Sequence, residues 1–137
     1  MIRKYIQGEG QAGDRELFGL LGLWITSRKI SETLGSPIHS DQGDIWHVFI
    51  DPAGAPLGFA LTHIFKTTDT AHIRFLFVPS GMLKIQDALL KGVIVLAKEH
   101  GLKSVYTYDR KDSIWEKAGF KKHKKPRSSF YKWEKSL

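Results

Sequence analysis

Six histidines and no cysteine bound the chemistry open to this chain of 137 residues. Without a thiol there is no disulfide framework, no thiolate zinc site and no cysteine nucleophile. His39, His47, His63, His72, His100 and His123 form no His-x-x-x-His pair and no local carboxylate cluster, so no metal site is expected. Gly-x-Ser-x-Gly and the Walker phosphate loop are absent, and the Gly-x-Gly within GEGQAG lacks a strand–helix context. What is left is a set of titratable side chains to which spacing by itself assigns no role. His72, in AHIRFLFV, carries an imidazole that titrates near neutrality and can relay a proton. Asp69 in the preceding turn and His47 on another strand are weaker candidates. Tyr106, Tyr108 and Tyr131 each offer a phenolic proton, although strand aromatics, Trp46 and Trp133 among them, usually pack.

These groups must be positioned by mixed elements around one sheet. A weakly alternating IRKYIQ precedes the flexible GEGQAG, and Asp14 reads as the cap of a helix with Leu17, Leu20, Leu21, Trp24 and Ile25 at helical spacing. A short second helix follows to Leu34 and stops at Gly35-Ser36-Pro37. From Asp44 the period falls to two. DIWHVFID, PLGFALTHIFKT and AHIRFLFV read as three consecutive antiparallel strands separated by turns. Ile85, Ala88, Leu89, Val93, Leu96 and Ala97 then form one stripe of a long helix closed by Gly101. SVYTYD is a strand, residues 112–118 a two-turn helix stopped by Gly119, and SSFYKWEK the last strand. The expectation is one α/β domain over residues 1–137.

That order resembles the GCN5-related N-acetyltransferase (GNAT) family over nearly the whole chain. FLFVPS is similar to the family's fourth strand, the helix after it to the central helix, and WEKAGF to the late aromatic-x-Lys-x-Gly-Phe signature. The resemblance implies a mostly antiparallel mixed sheet flanked by helices. It also implies transfer of an acyl group from acetyl-CoA, or another acyl-CoA, to an amine. The strand edge would pair with the pantetheine arm, and the helix amides would receive the diphosphate. On that alignment Phe77, Val78, Ser80, Gly81, Met82, Lys84, Ile85, Gln86 and Trp115 bind the cofactor, and His72 stands where a catalytic carboxylate often lies. The chain departs from the family's glycine pattern. Counted from Pro79, the two small-residue positions fall on Ile85 and Asp87; counted back from Leu89-Leu90, they fall on Lys84 and Gln86. Trp115 takes the place of a tyrosine that protonates the leaving thiolate in many members.

Charge is unevenly placed. Residues 1–83 carry seven Lys/Arg against eight Asp/Glu, and residues 84–137 carry fourteen against six. Such a field draws anions, whether cofactor phosphates, acidic proteins or nucleic acid. Lys121, Lys122, Lys124, Lys125 and Arg127 cluster between the last helix and the last strand, beside aromatic Phe130, Tyr131 and Trp133. A second expectation therefore keeps the fold and changes the task, to a virion component or a nucleic-acid-binding or DNA-modifying protein of the kind found in bacteriophages. No stretch reads as a signal peptide or a bilayer span, so a cytoplasmic protein is expected.

Overall fold

The computed structural model describes residues 1–109, 113–123 and 130–137. Among the described residues seven strands form one sheet in the order β1-β2-β3-β4-β5-β7-β6. They are β1 (Ile2–Ile6), β2 (Ile45–Ile50), β3 (Pro56–Phe65), β4 (Thr70–Phe77), β5 (Ser104–Asp109), β6 (Lys121–Lys122) and β7 (Tyr131–Ser136). Helices α1 (Gln11–Ile25) and α2 (Arg28–Leu34) join β1 to β2; α3 (Leu83–Glu99) joins β4 to β5; α4 (Ser113–Lys117) follows β5. All neighbouring strands are antiparallel except β4 and β5. A parallel pair needs a crossover, and α3 supplies it. The expected mixed sheet flanked by helices is the fold observed.

A core fills each face. On one, Leu17 and Leu21 of α1 meet Trp46, Val48, Phe59 and Leu61 of the sheet. On the other, Leu89 and Val93 of α3 meet Ala60, Ala71, Ile73, Val105, Trp115 and Trp133. The alternation expected of β2 hides this. Five of its six residues are buried, because both of its faces are covered. His47 points into the α3 side, where a Cβ added at Gly92 would stand 3.0 Å from its ring. Glycine lets the helix sit on the imidazole.

Helix ends follow local chemistry. Gly101 (φ 67°) and Leu102 close α3, their amides donating to Lys98 O and Ala97 O at 3.0 Å each. Gly119 (φ 89°) and Phe120 end α4 the same way, on Glu116 O and Trp115 O. Phe120 then packs edge-on against Trp115, centroids 5.3 Å apart. At α1 the expectation is corrected: Gly10 is the cap, and Asp14 lies inside the first turn. Its carboxylate reaches back to accept from the Gly8 amide at 3.0 Å. The two-residue strand β6 is not visible as a period, since both its residues are exposed lysines.

Candidate functional site

The ladder between β4 and β5 holds three pairs only, Thr70–Ser104, Ala71–Val105 and His72–Tyr106. Beyond them β5 stays with β7 to Asp109, while β4 stays with β3 to Phe77, so the two strands part. A bulge opens them, and one hydroxyl ties them at the fork. The β3–β4 register shifts between Leu61 and Thr62, whose partners are Phe75 and Ile73, which leaves Arg74 as an extra residue. Such a bulge bends and twists its strand. At the fork the Thr107 hydroxyl donates to Ile73 O at 2.8 Å, in place of a ladder amide. Farther along, Gly58 lets the end of β4 and the start of α3 close in. A Cβ there would lie 2.9 Å from Phe77 O and 3.3 Å from Ile85 Cγ2.

The fork opens a cleft of about 430 Å³ that runs to the start of α3. Phe77, Val78, Ser80, Gly81, Gln86 and Trp115 line it, so six of the nine residues that the resemblance implied for a cofactor are brought together. Met82 and Lys84 are exposed beside it. Ile85 is a correction: its side chain is 3% exposed in the α3 core and its amide donates to Met82 O at 3.1 Å. Neither group is open to a ligand, because the first turn of α3 puts this position against Gly58. Gly81 takes φ 68° to turn the chain into the helix. Its amide bonds Val78 O, the Met82 amide the Ser80 hydroxyl, and the Gln86 amide Met82 O. The Leu83 and Lys84 amides, first and second of the helix, have no carbonyl to meet along it and point out of its positive end. The side-chain oxygen of Gln86 is buried in the cleft wall without a partner. Trp115 is 2% exposed, and its indole N–H donates to Asp109 at 2.7 Å.

At the other end the cleft widens into a bowl of about 550 Å³ between α2 and the fork. His39, His72, Arg74, Phe75, Tyr108 and Phe130 line it. His72 lies flat on Tyr106 at 4.7 Å, and burial, with the Arg74 and His63 charges, pushes its pKa down to about 4. The ring is therefore neutral at pH 7 and weakly basic, not poised near neutrality as free imidazole is. Burial also raises the Tyr106 phenol, with help from Tyr108.

Behind the bowl sits a network with no signature in the sequence. Asp44, wholly buried, accepts from the Asp41 amide at 2.9 Å and faces His63 Nδ1 at 2.5 Å. Arg74 bonds Asp41 at 3.1 Å and stands 3.9 Å from Asp44. The ligating atoms of Asp41, Asp44 and His63 lie within 4.8 Å of one another, which corrects the expectation that no histidine meets a carboxylate cluster. The Arg74 guanidinium pairs with Asp41 and, at 3.9 Å, offsets the charge of buried Asp44.

Other candidates lie elsewhere. His47 is buried under α3, and Asp69 (φ 53°) forms a turn whose carbonyl accepts from Lys103 at 2.7 Å. Tyr131 lies beneath Lys122 Nζ at 3.8 Å, and Trp46 and Trp133 are core. Lys121 and Lys122 form exposed β6; Lys124, Lys125 and Arg127 lie outside the described residues. Among the described residues no helix is long and apolar enough to cross a membrane.

No protein-family profile and no curated protein matches this chain. Solved structures do. A GNAT-family acetyltransferase from Staphylococcus aureus is 16% identical, with a TM-score of 0.66 over 100% of this chain and 99% of that one. Tetrahymena GCN5 is 12% identical, TM-score 0.69, over 100% and 96%. N-acetylglutamate synthase from Neisseria gonorrhoeae, solved with coenzyme A and N-acetyl-glutamate, is 16% identical, TM-score 0.61, over 100% of this chain and 35% of that one. At these identities the likeness is one of architecture: this chain has the fold of the GNAT acetyltransferases.

Proposed function

We propose that the protein is an N-acyltransferase of the GNAT family that takes its acyl group from a CoA-type thioester, acetyl-CoA being the first candidate. The observation that carries this reading is the fork. Past His72 the free edge of β4, Arg74–Phe77, faces a cleft that ends at the positive end of α3. An extended arm with amide groups can pair with such an edge as an added strand would. Among the described residues the chain's groups fit it: an edge that no strand pairs, open Leu83 and Lys84 amides for a phosphate, and the Lys84 charge beside them. The unpartnered Gln86 oxygen is an acceptor awaiting a donor. When bound, the thioester supplies an activated acyl carbon. His72, neutral at the bowl side of the fork, accepts the proton that the amine releases, and Tyr108 lies within the same walls. The fully committed Trp115 indole holds Asp109 and the floor of the cleft in place.

A second reading, the same fold used for binding without turnover, is favoured by one observation. The positions where the family carries glycine are filled here by Ile85 and Asp87 or, in the other register, by Lys84 and Gln86, and the Trp115 indole cannot act as an acid. Lys121 and Lys122 would then contact an acidic partner or nucleic acid.

Thermal unfolding with acetyl-CoA separates the two. At a hundredfold excess over Kd, binding to the folded state adds about 2.7 kcal/mol, a rise in Tm of roughly 8 °C for a chain of this size. No shift at millimolar acetyl-CoA would leave the second reading standing alone.

A further inference from the structure

The bowl is made of rings, on a part of the sheet that α1 and α2 leave open. Register places His63 opposite His72 and His72 opposite Tyr106, so three rings share one row and one face. Tyr108, two residues along β5, adds a fourth, edge-on to His72 at 5.7 Å and to Tyr106 at 5.8 Å. It is 46% exposed, although tyrosine on a strand usually finds cover. Across the bowl His39 stands edge-on to Phe75 at 5.6 Å, and Phe130 closes the wall. Lys132 Nζ lies over the Tyr106 ring, 4.9 Å from its centroid.

The charges say what these rings are for. An alkylammonium acceptor would call for an uncommitted carboxylate in the bowl. Asp41 and Asp44 are tied to Arg74 and His63, and Glu134, beside Tyr106 on β7, bonds the Ser104 hydroxyl and His123. What the described residues of the site offer a ligand is π faces, with the Lys132 ammonium over Tyr106 nearby.

We propose that the bowl takes a nucleobase: a planar nitrogen heterocycle with an exocyclic amine, stacked on Tyr108 beside the His72–Tyr106 pair, its phosphate drawn to Lys132. As acceptor for acyl transfer this rests on the function proposed above; as a binding site it does not. A ring amine is uncharged at neutral pH, so no strong base is needed to free it. Its nitrogen forms the C–N bond as the C–S bond breaks, and the proton it sheds passes by way of His72 to the sulfur, which leaves as thiol. The weak basicity that burial imposes on His72 suits this acceptor and would not suit an ammonium ion.

The test is fluorescence anisotropy of a labelled oligodeoxyadenylate decamer, with an abasic decamer of equal charge as control and adenosine monophosphate as competitor. The intact decamer is expected to bind at least tenfold tighter than the abasic one. Tyr108→Leu should cost about tenfold in affinity and Tyr108→Trp should restore it, as stacking on a ring requires. Equal binding of both decamers, or a Tyr108→Leu protein with unchanged affinity, would overturn the proposal, since charge alone would then explain the contact. Competition by the mononucleotide tells whether the ring comes free or on a strand, and either result supports the site. The acetyl-CoA melting shift, read on the same proteins, reports the acyl-transfer reading separately.

Discussion

His47 and His72 share a side chain and a lowered pKa, but their surroundings assign them different work. His72 keeps one side toward the bowl, whereas His47 is 4% exposed beneath Gly92, with its Nδ1 unpaired. Burial, and then the Lys4 charge, push the His47 pKa down to about 4 from an ordinary 6.5. The unfolded chain therefore binds a proton at pH values where the folded one does not. The stability this represents is complete above pH 6.5 and is lost as pH falls from there to about 4. It amounts to something on the order of 3 kcal/mol. Urea unfolding at pH 7.5 and 4.5 should show the loss, and His47→Leu should shrink the difference between the two midpoints. An undiminished difference would place the acid sensitivity in other groups. Both histidines stand out in the sequence as rings on strands, but their roles do not. What separates them is a glycine 45 positions away for one and a β5 tyrosine for the other. The Asp41–Asp44–His63–Arg74 network is hidden for the same reason, since its members come from a loop and two strands with no periodic spacing.

Elements were the most legible part of the chain. The stripe on α3, the glycine stops at Gly101 and Gly119 and the three-strand meander are local patterns, and the structure has each of them. The bulge at Arg74 is not local, because it exists only relative to β3. Gly58 is similar. Within PLGFALTHIF it reads as a weak spot in a strand, yet it lets β4 and α3 converge at the head of the cleft. Gly58→Ala would set a methyl carbon 2.9 Å from a backbone oxygen, and backbone yields less readily than a flexible side chain. The expected cost is about 1–3 kcal/mol, a Tm lower by several degrees, together with weaker retention of any ligand in the cleft. Calorimetry checks the first part. An alanine variant as stable as the parent would mean that the β4 end shifts freely, and the cleft would then not be a rigid site.

At the scale of the molecule, the fork divides the sheet into β1–β4 and β5-β7-β6, joined by three ladder pairs, by α3 and by the Thr107 hydroxyl on Ile73 O. The long helix between β4 and β5 allows a parallel pair without requiring one, since β1 and β2 are antiparallel across α1 and α2, and the sequence cannot show where the ladder stops. That depends on competition between β7 and β4 for the edges of β5. Thr107 is 4% exposed, so removing its hydroxyl leaves a carbonyl at the fork with neither water nor a partner. Thr107→Val keeps the shape and should cost about 1–2 kcal/mol. The loss should not be spread evenly. Because the bond ties the two halves at their junction, amides of β5 and β7 should lose hydrogen-exchange protection, while those pairing β2 with β3 keep theirs through openings smaller than global unfolding. Exchange measured residue by residue on the parent and the valine variant decides the matter. If protection falls by the same factor in β2–β3 as in β5–β7, the sheet opens as one unit and the fork is a fixed shape, not a hinge.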